Sequence, residues 1–399
     1  METAHLVLDI GLALLLAAAF GWVARQLGLP SVVGYLAAGL AVSPFTPGYE
    51  ADRHQIELMA ELGVVFLLFE VGIEVDLGRL RREHGGLLWA SPLQIGLTTA
   101  AASLVLYLLG VAPFGAALIG LSVAMSSSVV VVNITRSRRR TTDKPTEEGL
   151  LGWSVLQDVT GVALGTVIIA VSGTEGRSLP VALALLAAFG LLALIAARIL
   201  PFILTRLRSE HDLFLIVSVA SGLALAAAGG VYFGVPTALA AFVAGLAISD
   251  SAETAEARRR LLPFRDVFAV LFFVAVGTLI DPGTLPTAVP QIALLVALVV
   301  VAKVLLAWVL VRLAGLRARP LQLAIGLGQM GEFGYVLAGI GLAAGVVSGE
   351  LFTAVLATIV ITIAGSAVLV RLAGTAPAPA APAPPAAPAT PGAPAAPAG

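Results

Sequence analysis

About thirteen apolar stretches, separated by short polar loops, follow one another along the chain and restrict its fold more than any other feature. A spanning helix needs about 20 mostly apolar residues. Backbone polar groups in lipid must be satisfied inside the segment, so such stretches fold as helices. Of the 399 residues 59% are hydrophobic and 12% charged, against roughly a quarter charged in soluble domains. One globule cannot hide that much apolar surface. An all-α polytopic membrane protein with about 13 transmembrane helices is therefore predicted, the first over 5–24 and the last over 350–370. Two spans, 29–43 and 235–249, are unusually short.

The basic residues set an orientation, because short cytoplasmic loops hold the excess of Lys and Arg. Of the 23, 20 follow odd-numbered spans, in runs such as Arg79, Arg81 and Arg82, or Arg258, Arg259, Arg260 and Arg265. Each run reads as a solvated loop. The amino terminus is expected outside and the carboxyl terminus in the cytoplasm, with the protein in the inner (plasma) membrane. No Lys or Arg precedes Arg25, so a cleaved signal peptide is not expected. The absence of cysteine excludes disulfides and cysteine-ligated metal. His5, His54, His84 and His211 fall at predicted helix ends or in loops. No nucleophile, metal cluster or phosphate loop is found, so no enzyme, cofactor or resident metal is expected, nor a nucleic-acid partner. Residues 375–399 contain only Ala, Pro, Gly and Thr, a composition that favours a disordered, extended tail. No Gly-rich nucleotide-binding motif follows the membrane domain.

An internal repeat organises the rest. GLPSVVGYLAAGLAVSP at 28–44 aligns without gaps on GVPTALAAFVAGLAISD at 234–250, and Val71-Gly72 with Asp76 matches Val276-Gly277 with Asp281. Corresponding elements are seven spans apart, which puts the copies in opposite orientations. This is the inverted-repeat design of secondary transporters, whose substrate sites lie at discontinuous helices near the midplane. The expected domain covers 1–374, with repeat one at about 5–172, a linker helix at about 179–200 and repeat two at about 212–371.

Ionisable groups within spans are functional candidates. Asp158 lies mid-span after Gln157. A proton and an alkali cation would compete for that carboxylate; a neutral acid bonding another helix is the alternative reading. Ser126, Ser127 and Ser128 interrupt span five before four valines, a poor continuous helix, which either offers oxygens to a cation or packs small residues at an interface. The repeat offset sends Ser127 to Glu332, within GLGQMGEFGYVLAG. Two broken helices are predicted to cross there, with Glu332 and the mid-span Lys303 compensating helix-end dipoles or core charge. Glu70 and Glu74 are further candidates.

The motifs LGLPSVVGYLAAGL, LLFEVGIEVDLGRL, MSSSVVV with LQDV, VPTALAAFVAGLAISDS, LFFVAVGTLIDP, AKVLL and GQMGEFGYVLA occur in family order from about Leu6 to Leu372. In them the chain resembles the monovalent cation:proton antiporter superfamily, in the branch with Kef-type potassium/proton and bacterial sodium/proton antiporters. The resemblance implies thirteen helices, a homodimer, and an elevator-like movement around crossed broken helices. It also implies exchange of K+ or Na+ for H+ with Asp158 as the exchange carboxylate, Ser127 and Ser128 at the crossing, and Lys303 as the basic residue of the core. Gln157 stands where many charge-moving relatives carry a second acid, which points to electroneutral exchange. A cation channel or uniporter, or a non-transporting sensor with the same fold, is the competing reading.

Overall fold

The computed structural model describes residues 2–374 apart from 30, 48, 50–51, 75–84, 137–140, 173–178, 208, 236 and 250–253. The Ala/Pro-rich segment and Asp76 of the repeat lie outside the described residues. Every regular element among the described residues is helical. The order is α1 Glu2–Gln26, α2 Ser31–Ala41, α3 Arg53–Glu74, α4 Leu87–Leu108, α5 Pro113–Ala124, α6 Ser128–Arg136, α7 Lys144–Ser172 and α8 Leu179–Arg206. Then come α9 His211–Phe233, α10 Thr237–Ser249, α11 Thr254–Thr278, α12 Leu285–Leu298, a π-helical turn Val299–Val304 leading into α13 Leu305–Leu313, α14 Pro320–Gly326, α15 Glu332–Ala343 and α16 Gly349–Ala373. Eight of these, counting α12–α13 as one, are long and apolar enough to cross a membrane. The remaining helices are short or, like α3 with its four glutamates, richer in charge.

Spans five and twelve are each two half-helices, α5 with α6 and α14 with α15, as the serine and glycine runs predict. Span eleven is continuous but carries the π turn around Lys303, which periodicity does not reveal. Span ten begins earlier than expected, so Arg265, read above as a loop residue, lies inside α11.

The helices pack as two bundles. In one, α3 lies against α10 and α11, α2 against α1 and α11, and α9 against α10. In the other, α4, α5 and α7 pack together, and α16 packs on α12, α14 and α15. The long α8 contacts α9, α10 and α7.

The duplicated residues do the same work in each copy. Gly28 and Gly234, aligned in the repeat, both turn the chain at positive φ, 81° and 64°, just before a short helix, a conformation that favours glycine. A Cβ on Gly39 would come within 2.8 Å of Gly277 Cα, and one on Gly72 within 2.9 Å of Gly245 Cα. Each copy's short helix thus packs backbone to backbone on a longer helix of the other copy, the close approach that small residues permit in membranes.

Candidate functional site

The two breaks cross at the heart of the second bundle. Met125, Ser126 and Ser127 separate α5 from α6, and residues 327–331 separate α14 from α15. The Gly331 N–H donates to the Met125 carbonyl at 3.2 Å. A Cβ on Gly331 would lie 2.7 Å from the Ser126 carbonyl carbon, so glycine alone fits this crossing. The Gln329 side chain lashes the two segments together. Its Nε2 donates to the Ser127 carbonyl at 3.0 Å, and its Oε1 accepts the Ser127 N–H at 3.1 Å.

Interrupting a helix leaves carbonyls at its C-terminal end without intrahelical partners, and no lipid group can replace them. Here several of these groups have protein donors. The Ala124 carbonyl that ends α5 lies 3.4 Å from the Nε2 atoms of both Gln94 and Gln157. The Ser126 hydroxyl donates to the Leu327 carbonyl at 2.8 Å, and the Ser366 hydroxyl to that of Ile325 at 2.8 Å. Fully buried Lys303 donates from Nζ to the carbonyls of Met125, at 2.8 Å, and Gln329, at 2.6 Å. One ammonium thus meets the negative ends of both broken helices, where a cation is most favourable. Both of these Lys303 bonds run to backbone carbonyls.

Other predicted residues fall differently. The Ser127 hydroxyl accepts the Val130 N–H at 3.3 Å, an N-cap on α6, so that oxygen is already engaged. The Ser128 hydroxyl is buried and makes no hydrogen bond among the described residues. Ser128 and Glu332 each open the half-helix after a break. By helix start, Glu332 therefore corresponds to Ser128, one position on from the sequence alignment. The side chains of Glu332 and Glu74 lie outside the described residues. Gln157 donates to Gln94 Oε1, which also accepts from Trp153 Nε1 at 3.3 Å, while its own Oε1 is buried with no hydrogen bond among the described residues. Glu70 is buried in the other bundle, ion-paired with Arg265 at 3.0 Å, and is not brought to the crossing.

Asp158 is 3% exposed on α7, between Gln157, which reaches Ala124, and Gly161, one turn on. A Cβ on Gly161 would meet the Met125 sulfur at 2.6 Å, so the Met125 side chain covers α7 just beyond Asp158. Above Met125 opens a cavity of about 1020 Å³ between the bundles, lined by α3, α7, α11 and α15 and by the α9–α10 turn. Its lining follows α7 from Ile169 through Thr166, Gly165 and Val162 to Gly161 and ends one turn short of Asp158. Among the described residues no group of three His, Cys, Asp or Glu is placed to hold a metal.

Sequence reasoning missed Gln94, Gln329, Thr98 and Thr362. Thr98 donates to the Ala302 carbonyl inside the π turn at 2.8 Å, and the Thr362 hydroxyl accepts the Met330 N–H at 3.0 Å. A polar residue inside an apolar span was the available signal. Asp9, assigned no role from sequence, is buried and accepts hydrogen bonds from the Tyr49 hydroxyl and, at 3.1 Å, the Asp52 N–H. It straps the loop after α2 to α1. The hydrogen bond to Asp9 holds the Tyr49 phenol above its ordinary pKa.

Known proteins bear on this geometry. YbaL of Escherichia coli (strain K12), a candidate cation/proton antiporter, is 32% identical over 344 residues, 83% of this chain and 62% of YbaL. The glutathione-regulated potassium-efflux system protein KefC of Klebsiella pneumoniae (strain 342) is 32% identical over 360 residues, 88% of this chain and 57% of KefC. The chain thus spans about three fifths of the length of these curated relatives. The solved sodium proton antiporter MjNhaP1 of Methanocaldococcus jannaschii superposes with a TM-score of 0.77 at 19% identity, covering 94% of this chain and 99% of that one, a likeness of fold. The family model for the sodium/hydrogen exchanger transmembrane region matches residues 12–372, so by sequence and by its crossed half-helices this chain belongs to the sodium/hydrogen exchanger family.

Proposed function

We propose that the chain is a secondary antiporter that exchanges one monovalent cation, K+ or Na+, for one proton at Asp158 by alternating access. The observation that carries this reading is the division of labour at the crossing. Lys303, Gln94, Gln157, Ser126 and Ser366 serve the carbonyl ends of the broken helices. Among the described side chains Asp158 is the buried acid on the helix beside that crossing, Asp9 lying on α1 and Glu70 in the other bundle. A carboxylate there is neutralised by a proton or by a cation, and competition between the two is the chemistry of exchange. The names of YbaL, KefC and MjNhaP1 point the same way, and potassium and sodium are both represented among them.

On this reading the repeats are inverted copies, α8 links them, and the protein is a homodimer in the inner membrane with its amino terminus outside. The cavity above Met125 is then the outer access path, and movement of one bundle against the other opens the opposite path. Both loaded forms of one carboxylate have the same net charge, so exchange is electroneutral.

Reconstituted vesicles test this. A cation pulse at zero membrane potential should release protons, which a channel or uniporter would not couple. Asp158→Asn, which keeps hydrogen bonding but cannot titrate, should abolish the release while the protein still folds. With potassium-loaded vesicles clamped by valinomycin and driven by sodium, the rate should not change with potential, although each uncompensated charge would add about 2.3 kcal/mol per 100 mV. Full exchange by Asp158→Asn removes that residue from its role, and a rate that climbs with potential removes the one-carboxylate stoichiometry. For a protein inactive with sodium, the potassium assay with another voltage clamp applies.

A further inference from the structure

The cavity above Met125 is walled almost entirely by apolar side chains, among them Val65, Val162, Phe272 and Phe333. Among the described residues a single charged one lines it, Glu61 of α3. Glu61 is exposed rather than packed. It lies about two and a half turns before Glu70, on the stretch of α3 that flanks the cavity. No hydrogen bond or ion pair reaches it from the described residues, in contrast to Glu70, which is held by Arg265, and Glu256, held by Arg259 and Arg260. A lone charge in a concave site with low-dielectric walls concentrates the field and raises the local concentration of counter-ions.

We propose that Glu61 is a cation-capture residue, a positioning group that gathers the transported monovalent cation in the cavity before it passes Met125 to Asp158. The proposal rests on the antiporter reading above. Glu61 binds the ion loosely through its water shell and does not exchange a proton for it, so its charge governs how often the site is filled and not how fast the filled carrier turns over. The cation enters past Glu61 on one side only, the face on which the cavity opens.

The chain has no cysteine, so Glu61→Cys gives a single addressable thiol in an otherwise unchanged background. With cation supplied on the cavity side, Glu61→Gln and Glu61→Cys should raise the apparent KM roughly threefold, the effect of one charge a few ångströms away in water, at unchanged maximal rate. Labelling Glu61→Cys with a sulfonate-bearing methanethiosulfonate should restore the low KM, and the trimethylammonium reagent should raise it further. In about 1 M choline chloride, where the Debye length falls to about 3 Å, the variants should converge on the parent protein. A KM that ignores the sign of the attached group, or a loss confined to maximal rate, overturns the proposal. An equal rise in KM on both sides of the membrane does so as well. Asp158→Asn in the same vesicles separates the two ideas, because persistent exchange there sinks the antiporter site, whereas a flat Glu61 series sinks only the capture residue.

Discussion

The contact between α2, α3, α10 and α11 and the crossing of α5–α6 with α14–α15 both bring backbones to within a few ångströms, by opposite means. At the first, four glycines let uninterrupted helices touch, Gly39 on Gly277 and Gly72 on Gly245. Each helix keeps its own hydrogen bonds, so the contact needs no polar partner. At the second, the helices are cut, and the freed groups are met by Lys303, Gln329, Gln94, Gln157 and two serines. A dry glycine contact has one way to pack and makes a rigid frame. A polar crossing places directed groups and a buried acid at one spot, which is what ion exchange requires.

The largest effect should come from filling the dry contact. Gly72→Val pushes a side chain into the Phe242 carbonyl, 2.2 Å from the Cβ position, and nothing there can yield without moving a helix. Destabilisation should reach or exceed the upper end of the about 1–3 kcal/mol typical of overpacking, seen as lost monodisperse protein and a lowered melting temperature in detergent. Gly11→Val, with open space around it, should fold normally. Equal melting of the two variants would break the comparison, because the frame would then not depend on close approach.

Next in size is Lys303→Met. It deprives two helix-end carbonyls of their charged donor, and orphaned buried acceptors cost about 1–3 kcal/mol each. Relief of the ammonium's own desolvation offsets part of that. A net loss of about 2 kcal/mol is expected in thermal melting, with Lys303→Gln losing less because it keeps a donor. If both variants melt like the parent protein, the polar crossing does not depend on its charge.

The smallest effects sharpen the roles of the serines. Ser127→Ala should cost about 1 kcal/mol, the value of an N-cap, with little change in apparent cation affinity. Ser128→Ala removes a buried hydroxyl with no hydrogen bond among the described residues, so melting should hold while cation affinity falls. The reverse pattern would return Ser127 to the cation and leave Ser128 as a packing residue.

The burial of Asp158 and Lys303 was legible in the sequence, because both lie inside apolar spans. The breaks were legible from local chemistry, since serine followed by valines, or closely spaced glycines, weakens a helix wherever it lies. Gln94, Gln329, Thr98 and Thr362 were not, because a neutral amide or hydroxyl in a span reads equally well as packing. Glu61 was hidden among the four glutamates of α3; its standing came only when a cavity formed around it. The pairing of Arg265 with Glu70 was hidden for the same reason, since it joins residues 195 apart in the chain.

Helical structure, residence in the membrane and the places where helices fail all arise from short-range properties: hydropathy, backbone preference and the spacing of glycines. They are written in neighbouring residues and survive without knowledge of the fold. Which donor meets which freed carbonyl is a long-range matter. Lys303 lies 178 residues from Met125 and 26 from Gln329, and only the crossing of the half-helices brings both carbonyls to one ammonium. In lipid no water stands in for a missing partner, so the tertiary arrangement supplies the donors that meet the carbonyls of Ala124, Met125, Ile325, Leu327 and Gln329.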